Sequence, residues 1–223
     1  MGICVMIEGE SGTGKSFAIR NMDPATTSII NVNKKPFPFR QKFTAVKGTD
    51  NYNEIGALLS RAVAKSIIID DTQYLLANEF MRRGKEKGFD KFTDIATNFW
   101  SLINLATSLP DDKISYFLHH IERDSEGHEK AKTIGRLLDE KITLEGMFTI
   151  VLKTVVLDGN FYFATVNNGH DTVKAPFEMF ADQLIPNDLK FVDDSIRDFY
   201  GIQIQPTEPA GQKKEKQYAT SLV

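Results

Sequence analysis

The sequence predicts an α/β fold: a mostly parallel central sheet flanked by helices and extended at one side by a C-terminal antiparallel hairpin. Three observations predict it. Short apolar runs alternate with helical patterns through the first half of the chain, as buried strands joined by crossover helices do. A glycine-rich turn follows the first of those runs directly. In the second half, two apolar runs flank Asp158-Gly159, a dipeptide suited to a tight hairpin turn.

Taken in order, residues 3–8, 27–32, 43–47, 66–70 and 114–119 read as strands, each a short and nearly continuous apolar run. Between them, 15–21 and 53–64 read as helices. Residues 92–109 carry Phe92, Ile95, Phe99, Leu102, Ala106 and Leu109 three or four apart and stop at Pro110, the period of a one-sided helix. Residues 146–157 and 160–166 form the predicted hairpin, and Asn168-Gly169 offers a second turn. Residues 188–200 place Leu189, Val192, Ile196 and Phe199 on one helical face, with Gly201 positioned to end it. Residues 1–204 thus read as one domain. Residues 205–223 are polar, hold two prolines and read as a flexible tail.

Composition narrows the class. The 223 residues are 41% hydrophobic and 26% charged with a net charge of −3, the balance of a soluble globular chain. Bulk charge gives no reason to expect nucleic acid, so such binding would need a local patch. The single cysteine, Cys4, falls inside the first strand pattern and rules out a disulfide framework. No apolar run approaches a membrane span and no secretory leader opens the chain, so the reading is cytoplasmic, host-cell cytoplasm if phage-encoded, with no membrane partner.

The turn is Gly9-Glu10-Ser11-Gly12-Thr13-Gly14-Lys15-Ser16, followed by Phe17. It fits G-x-x-x-x-G-K-[ST], a phosphate-wrapping loop. A chance match arises in roughly one chain of this length in a hundred. In the phosphate-loop reading, Lys15 neutralises the outer phosphates, Ser16 ligates Mg²⁺, and the following helix N-terminus favours negative charge. A second element supports it. Ser66-Ile67-Ile68-Ile69-Asp70-Asp71 is an apolar strand ending in two carboxylates. Asp70 suits the metal. Asp71 is placed to orient and deprotonate a water, against the plainer reading of a turn acid. Residues 114–118 end in His119-His120; His119 is the candidate γ-phosphate sensor and His120 reads as structural. Together these predict a P-loop NTPase with ATP and Mg²⁺ as cofactors. No N-K-x-D element for guanine occurs, Asn33-Lys34-Lys35-Pro36 being the nearest, so ATP is preferred.

The stretches GESGTGKS, INVNKKPFPF, IIIDDTQYL and FLHHIE, with KTIGRLLDEKITLEGMFTIVL further on, resemble the phage nucleotide-binding family with a RecA-like core. The likeness spans about residues 3 to 180. It implies an ATPase of DNA recombination or replication that acts on single-stranded DNA as a homo-oligomer, a ring or filament, alongside a single-strand-binding protein. Such ATPases take a water-activating glutamate from the strand beside the loop strand; the candidate for that strand, 43–47, carries no acid, so Asp71 must substitute or turnover is slow. They also need a basic residue from the neighbouring subunit, for which Lys174 comes first and Arg136 second.

Residues 78–91 read as a loop. From Arg82 to Lys91 it holds five basic residues, Arg82, Arg83, Lys85, Lys87 and Lys91, against Glu86 and Asp90, a local +3. With Phe80 and Phe89 alongside, that composition suits single-strand binding; the plainer reading is a solvated charged loop. A small-molecule kinase, with this segment as its lid, and a helicase-loading or protein-remodelling switch stay open as alternatives.

Overall fold

Runs of isoleucine, valine and methionine with no polar alternation have no face to offer water, and the chain buries them as the middle of a sheet. The computed structural model describes residues 1–203; the 205–223 tail lies outside the described residues, as does residue 204. The strands are β1 (Ile3–Gly9), β2 (Thr27–Asn31), β3 (Val46–Gly48), β4 (Ser66–Asp70), β5 (Ile114–Arg123), β6 (Glu129–Ala131), β7 (Ile150–Leu157), β8 (Asn160–Ala164) and β9 (Leu184–Pro186). Their order is β3-β2-β4-β5-β1-β7-β8-β9, with β6 paired to β5 outside that path. Strands β1 to β5 and β7 pair in parallel, while β7–β8 and β8–β9 pair antiparallel. The molecule is α/β, with a mostly parallel mixed sheet flanked by helices.

The helices are α1 (Tyr52–Arg61), α2 (Gln73–Arg82), α3 (Asp90–Thr107) and α4 (Leu189–Tyr200). Alternation along the strands separates two cores. Met6, Ile30, Ile69 and Phe117 face α1, α2 and α3. Ile7, Ile29, Ile68 and Leu118 face α4 and the segment after β1. Each fully buried side chain of this size contributes about 1.5–3 kcal/mol. Because the strands are parallel, Gly9, Asn31, Asp70 and His120 arrive at one edge of the sheet, where ligands of open α/β sheets bind.

Several elements differ from expectation. The segment after the glycine-rich turn is a six-residue 3₁₀ helix, Ser16–Asn21, not an α-helix. The Phe17 carbonyl, which an α-helix would offer to the N–H four residues on, accepts from Arg20 Nη1 at 3.1 Å. So short an element supplies little macrodipole. Residues 43–45 do not enter β3, because Phe43 packs edge-on against Phe39. Strand β3 lies at the border of the sheet, with three strands between it and β1, whose neighbours are β5 and β7. It is not the strand beside the loop strand. Residues 78–82 belong to α2, whose Leu75 and Leu76 are buried. Strand β5 runs past residue 119 to pair with β6, around a turn where Asp124 Oδ1 accepts the N–H groups of Glu126 and His128. The hairpin strand starts at Ile150, since Leu144–Met147 forms a 3₁₀ turn. Asp158 and Gly159 take φ of 50° and 76°, the doubly left-handed turn that their sequence favours.

Helix α4 is fastened by a buried polar knot. Arg197 Nε donates to Asp193 Oδ2 at 2.7 Å, and its other nitrogens reach the carbonyls of Lys65 and Asp112 and the Ser66 hydroxyl. Ser66 and Tyr116 hydroxyls donate to Asp193 Oδ1 at 2.7 and 2.8 Å. Removing one member leaves a buried charge uncompensated. Asp193→Ala should lower unfolding free energy by about 3–5 kcal/mol in urea titration. The double change Asp193→Leu, Arg197→Met should recover much of that loss.

Candidate functional site

Strand β1 ends where the backbone must pass too close to β7 for any side chain. A Cβ on Gly9 would overlap the Thr154 hydroxyl. Gly14 has φ of 101°, and a Cβ there would sit 2.9 Å from the Phe161 ring. Gly12 is also left-handed at 82°, whereas Lys15 is right-handed at φ −50°, ψ −64°. Such changes of hand turn successive N–H groups toward a concave side, where an anion fits. Thr13 braces the turn: its hydroxyl donates to Glu10 O at 2.7 Å and lies 2.5 Å from Thr154 Oγ1.

Lys15 lies under this turn, 6% exposed. Its Nζ donates to Gly9 O at 2.9 Å and Glu10 O at 2.7 Å. Burial pulls its pKa down to about 8, against the opposing pull of Asp71 and Asp70. Ser16 Oγ donates to Asp70 Oδ1 at 2.9 Å, joining the turn to β4. Burial, then the charge of Asp71, pushes the Asp70 carboxyl up to about 6. A cation beside it would favour the ionised form. The Ser16 and Asp70 oxygens are hard donors of the kind Mg²⁺ takes, with one or two carboxylates completed by water and phosphate oxygens. Among the described residues no group of three or more His, Cys, Asp or Glu could hold a metal, so a metal here would draw its other ligands from elsewhere.

Asp71 sits at φ 64°, a conformation uncommon outside glycine that aspartate and asparagine adopt more readily than most residues. Its carboxylate accepts from Asn33 Nδ2 at 2.8 Å and Lys35 Nζ at 3.3 Å, and His120 Nε2 lies 3.4 Å away. Burial raises its pKa, but the hydrogen bonds of His120 and Asn33 and the Lys35 charge outweigh that and hold it well below the usual range. A carboxylate so placed is a fixed acceptor and a weak base. It suits orienting a water better than deprotonating one.

The histidine pair is reversed from expectation. His119 is fully buried among α3 residues, Nδ1 2.8 Å from Thr72 Oγ1 and Nε2 2.9 Å from Lys132 O, with its ring against Phe99. Burial lowers its pKa to about 4. It is a satisfied core histidine. His120, one residue on, lies on the opposite face with Asp70 and lines the cleft, its ring edge-on to Tyr74.

That cleft, about 440 Å³, brings together Ser11, Gly12, Gly14, Lys15, Ser16, Phe17, Asp70 and Asp71 of the expected residues. Its remaining lining comes from residues 35–38, Tyr74, His120 and Phe161, none of which was expected at the site. Lys174 is held by two backbone hydrogen bonds to Val151. Arg136 is exposed and 3.5 Å from Glu140. Neither lines the cleft. Of the basic stretch, Arg82 pairs with Asp50 at 2.5 Å and Arg83 with Asp94 at 2.7 Å and Glu86 at 2.8 Å. Lys91 Nζ donates to Glu86 O at 2.9 Å. Lys85 and Lys87 are exposed and make no ion pair among the described residues. The local +3 is therefore mostly spent within the protein.

No protein-family model matches the chain, and no curated protein matches it. Among the described residues, no helix is long and apolar enough to cross a membrane.

Behind the turn, on the face of His119, lies Glu8, wholly buried. Thr172 Oγ1 donates to both its oxygens at 3.0 and 3.1 Å. Burial raises its pKa from 4.5 to about 8, with Glu145 and Asp171 adding to the rise and Thr172 and Lys153 opposing it. Between those two values the folded state keeps a proton that the unfolded state has released. Stability should therefore fall as pH rises through that window, by up to about 1.4 kcal/mol per pH unit. Urea midpoints of the wild type and Glu8→Gln should converge near pH 5, with the variant the more stable at pH 9.

Proposed function

We propose that this protein is a P-loop NTPase that binds Mg-ATP at the 9–16 turn and hydrolyses its terminal phosphate. The observation that carries the reading is the 2.9 Å bond from Ser16 Oγ to Asp70 Oδ1 beside a buried ammonium. Two stretches 54 residues apart meet there at the C-terminal edge of a parallel sheet.

Lys15, poorly compensated in its pocket, supplies positive charge to the outer phosphates. Ser16, through its hydroxyl, and Asp70, through its carboxylate, are the residues that would hold the metal. Bound Mg²⁺ would neutralise the charge that develops on the phosphates. Asp71, fixed by Asn33 and Lys35, orients the attacking water, and His120 beside it replaces His119 as the group facing the terminal phosphate. The resemblance to phage RecA-like ATPases supplies the work done: handling of single-stranded DNA by an oligomer, with a single-strand-binding protein as companion. Within the 82–91 stretch, Lys85 and Lys87, which make no ion pair among the described residues, support a DNA contact.

Calorimetric titration should find Mg-ATP binding that Lys15→Ala abolishes. Asp71→Asn should leave that binding within about threefold but slow phosphate release by on the order of a hundredfold or more. Release should rise on adding single-stranded DNA. An unchanged rate with every DNA form argues against the DNA assignment, and a phosphorylated small molecule in place of free phosphate argues against hydrolysis.

A further inference from the structure

The cleft has a polar end and two apolar walls. Lys15, Ser16, Asp70, Asp71 and His120 gather at the polar end. One wall is Phe161 with Phe17, their ring centroids 6.0 Å apart and tilted by 52°. The other is Pro36, Phe37 and Pro38. Phe37 is backed by Phe39, stacked at 5.1 Å and 11°, so its ring is held in place rather than free to turn away. Phe161 packs over Gly14 yet keeps 38% of its surface open.

Of the polar side chains lining the cleft, Ser11 belongs to the glycine-rich turn. His120, with Tyr74 edge-on to it, sits at the Asp71 end, so none of the three belongs to the apolar walls. Ser16 is committed to Asp70, Lys35 to Asp71, and Asp71 to Asn33. Asn187 has an amide whose two polar atoms lack partners among the described residues, but it is 2% exposed and lies behind Gly14. It does not line the cleft.

We infer that the cleft holds the base of its nucleotide by stacking on these aromatic and proline walls and discriminates little between bases. The class of ligand is then nucleoside triphosphates in general, with the triphosphate giving the specificity. This rests on the cleft being a triphosphate site. Stacking on an aromatic face tolerates any base, since every base has a π-face. Strong discrimination comes from buried hydrogen-bonding groups that a wrong ligand leaves unpaired.

The test is calorimetric titration of the full chain with the Mg complexes of ATP, GTP, CTP and UTP, and with Mg-tripolyphosphate. It is run on the wild type, Phe161→Ala and Phe161→Trp. The four nucleotides should bind within about tenfold of one another. Phe161→Ala should weaken each about tenfold without changing tripolyphosphate, and Phe161→Trp should restore them. A preference beyond about thirtyfold for one base overturns the inference and directs attention to the Asn187 amide. So does Phe161→Ala that binds every nucleotide as the wild type does. Tripolyphosphate binding as tightly as ATP overturns the stacking walls while leaving the phosphate reading in place. Failure of all five ligands overturns the phosphate reading itself.

Discussion

A buried ammonium without a carboxylate in contact is the constraint around which one end of this molecule is arranged. Lys15 gives its protons to two carbonyls of the turn that covers it. From carboxylates it gains only a longer-range pull, of Asp71, Asp70 and Glu10. Desolvating such a charge is costly. The surroundings hold it there: Gly9 admits β7, Gly14 admits the Phe161 ring, and the Thr13–Thr154 pair ties the turn to the sheet. Asp71, in a left-handed conformation, adds strain a short distance away. The offsetting stability comes from elsewhere, from the two apolar cores and the knot under α4. Unfavourable features thus collect at one edge of the sheet.

The sheet also sorts its ionisable groups by face. Successive residues of a strand point to opposite sides. Asp70 and His120 therefore share the face of the 3₁₀ turn and meet in the cleft. His119 falls on the face of α3, where it is sealed by Thr72, Lys132 and Phe99. Glu8 lies on that same inner side, held by Thr172 and close to the Lys153 cluster. One face brings Lys15, Asp70 and His120 to the cleft. The other buries His119 and Glu8 and pairs Lys153 with Glu129 and Asp171.

Much of this was legible in the chain itself. The turn and the apolar strand ending in Asp70-Asp71 are local patterns, and local patterns survive folding. The hairpin was marked by Asp158-Gly159, whose residues adopt the positive φ their chemistry allows. Other features were not local. The histidine assignment depends on the β4–β5 register that puts Leu118, and with it His120, on Asp70's face. The proximity of residues 35–38 to the turn depends on where β2 lies in the sheet. The basic stretch looked available because its partners, Asp50 and Asp94, lie outside it in sequence. Helix α2 was obscured by the charged residues that follow Phe80, although Leu76 and Phe80 keep helical spacing.

The sheet's two outermost strands, β3 and β9, are each three residues long, and β9 ends in Pro186. Such borders give an approaching chain few free N–H and C=O groups to match. Short edges of this kind offer a second copy little on which to add a strand. Copies that associate must do so through side-chain surfaces, where individual substitutions can tune the contact without disturbing the strands.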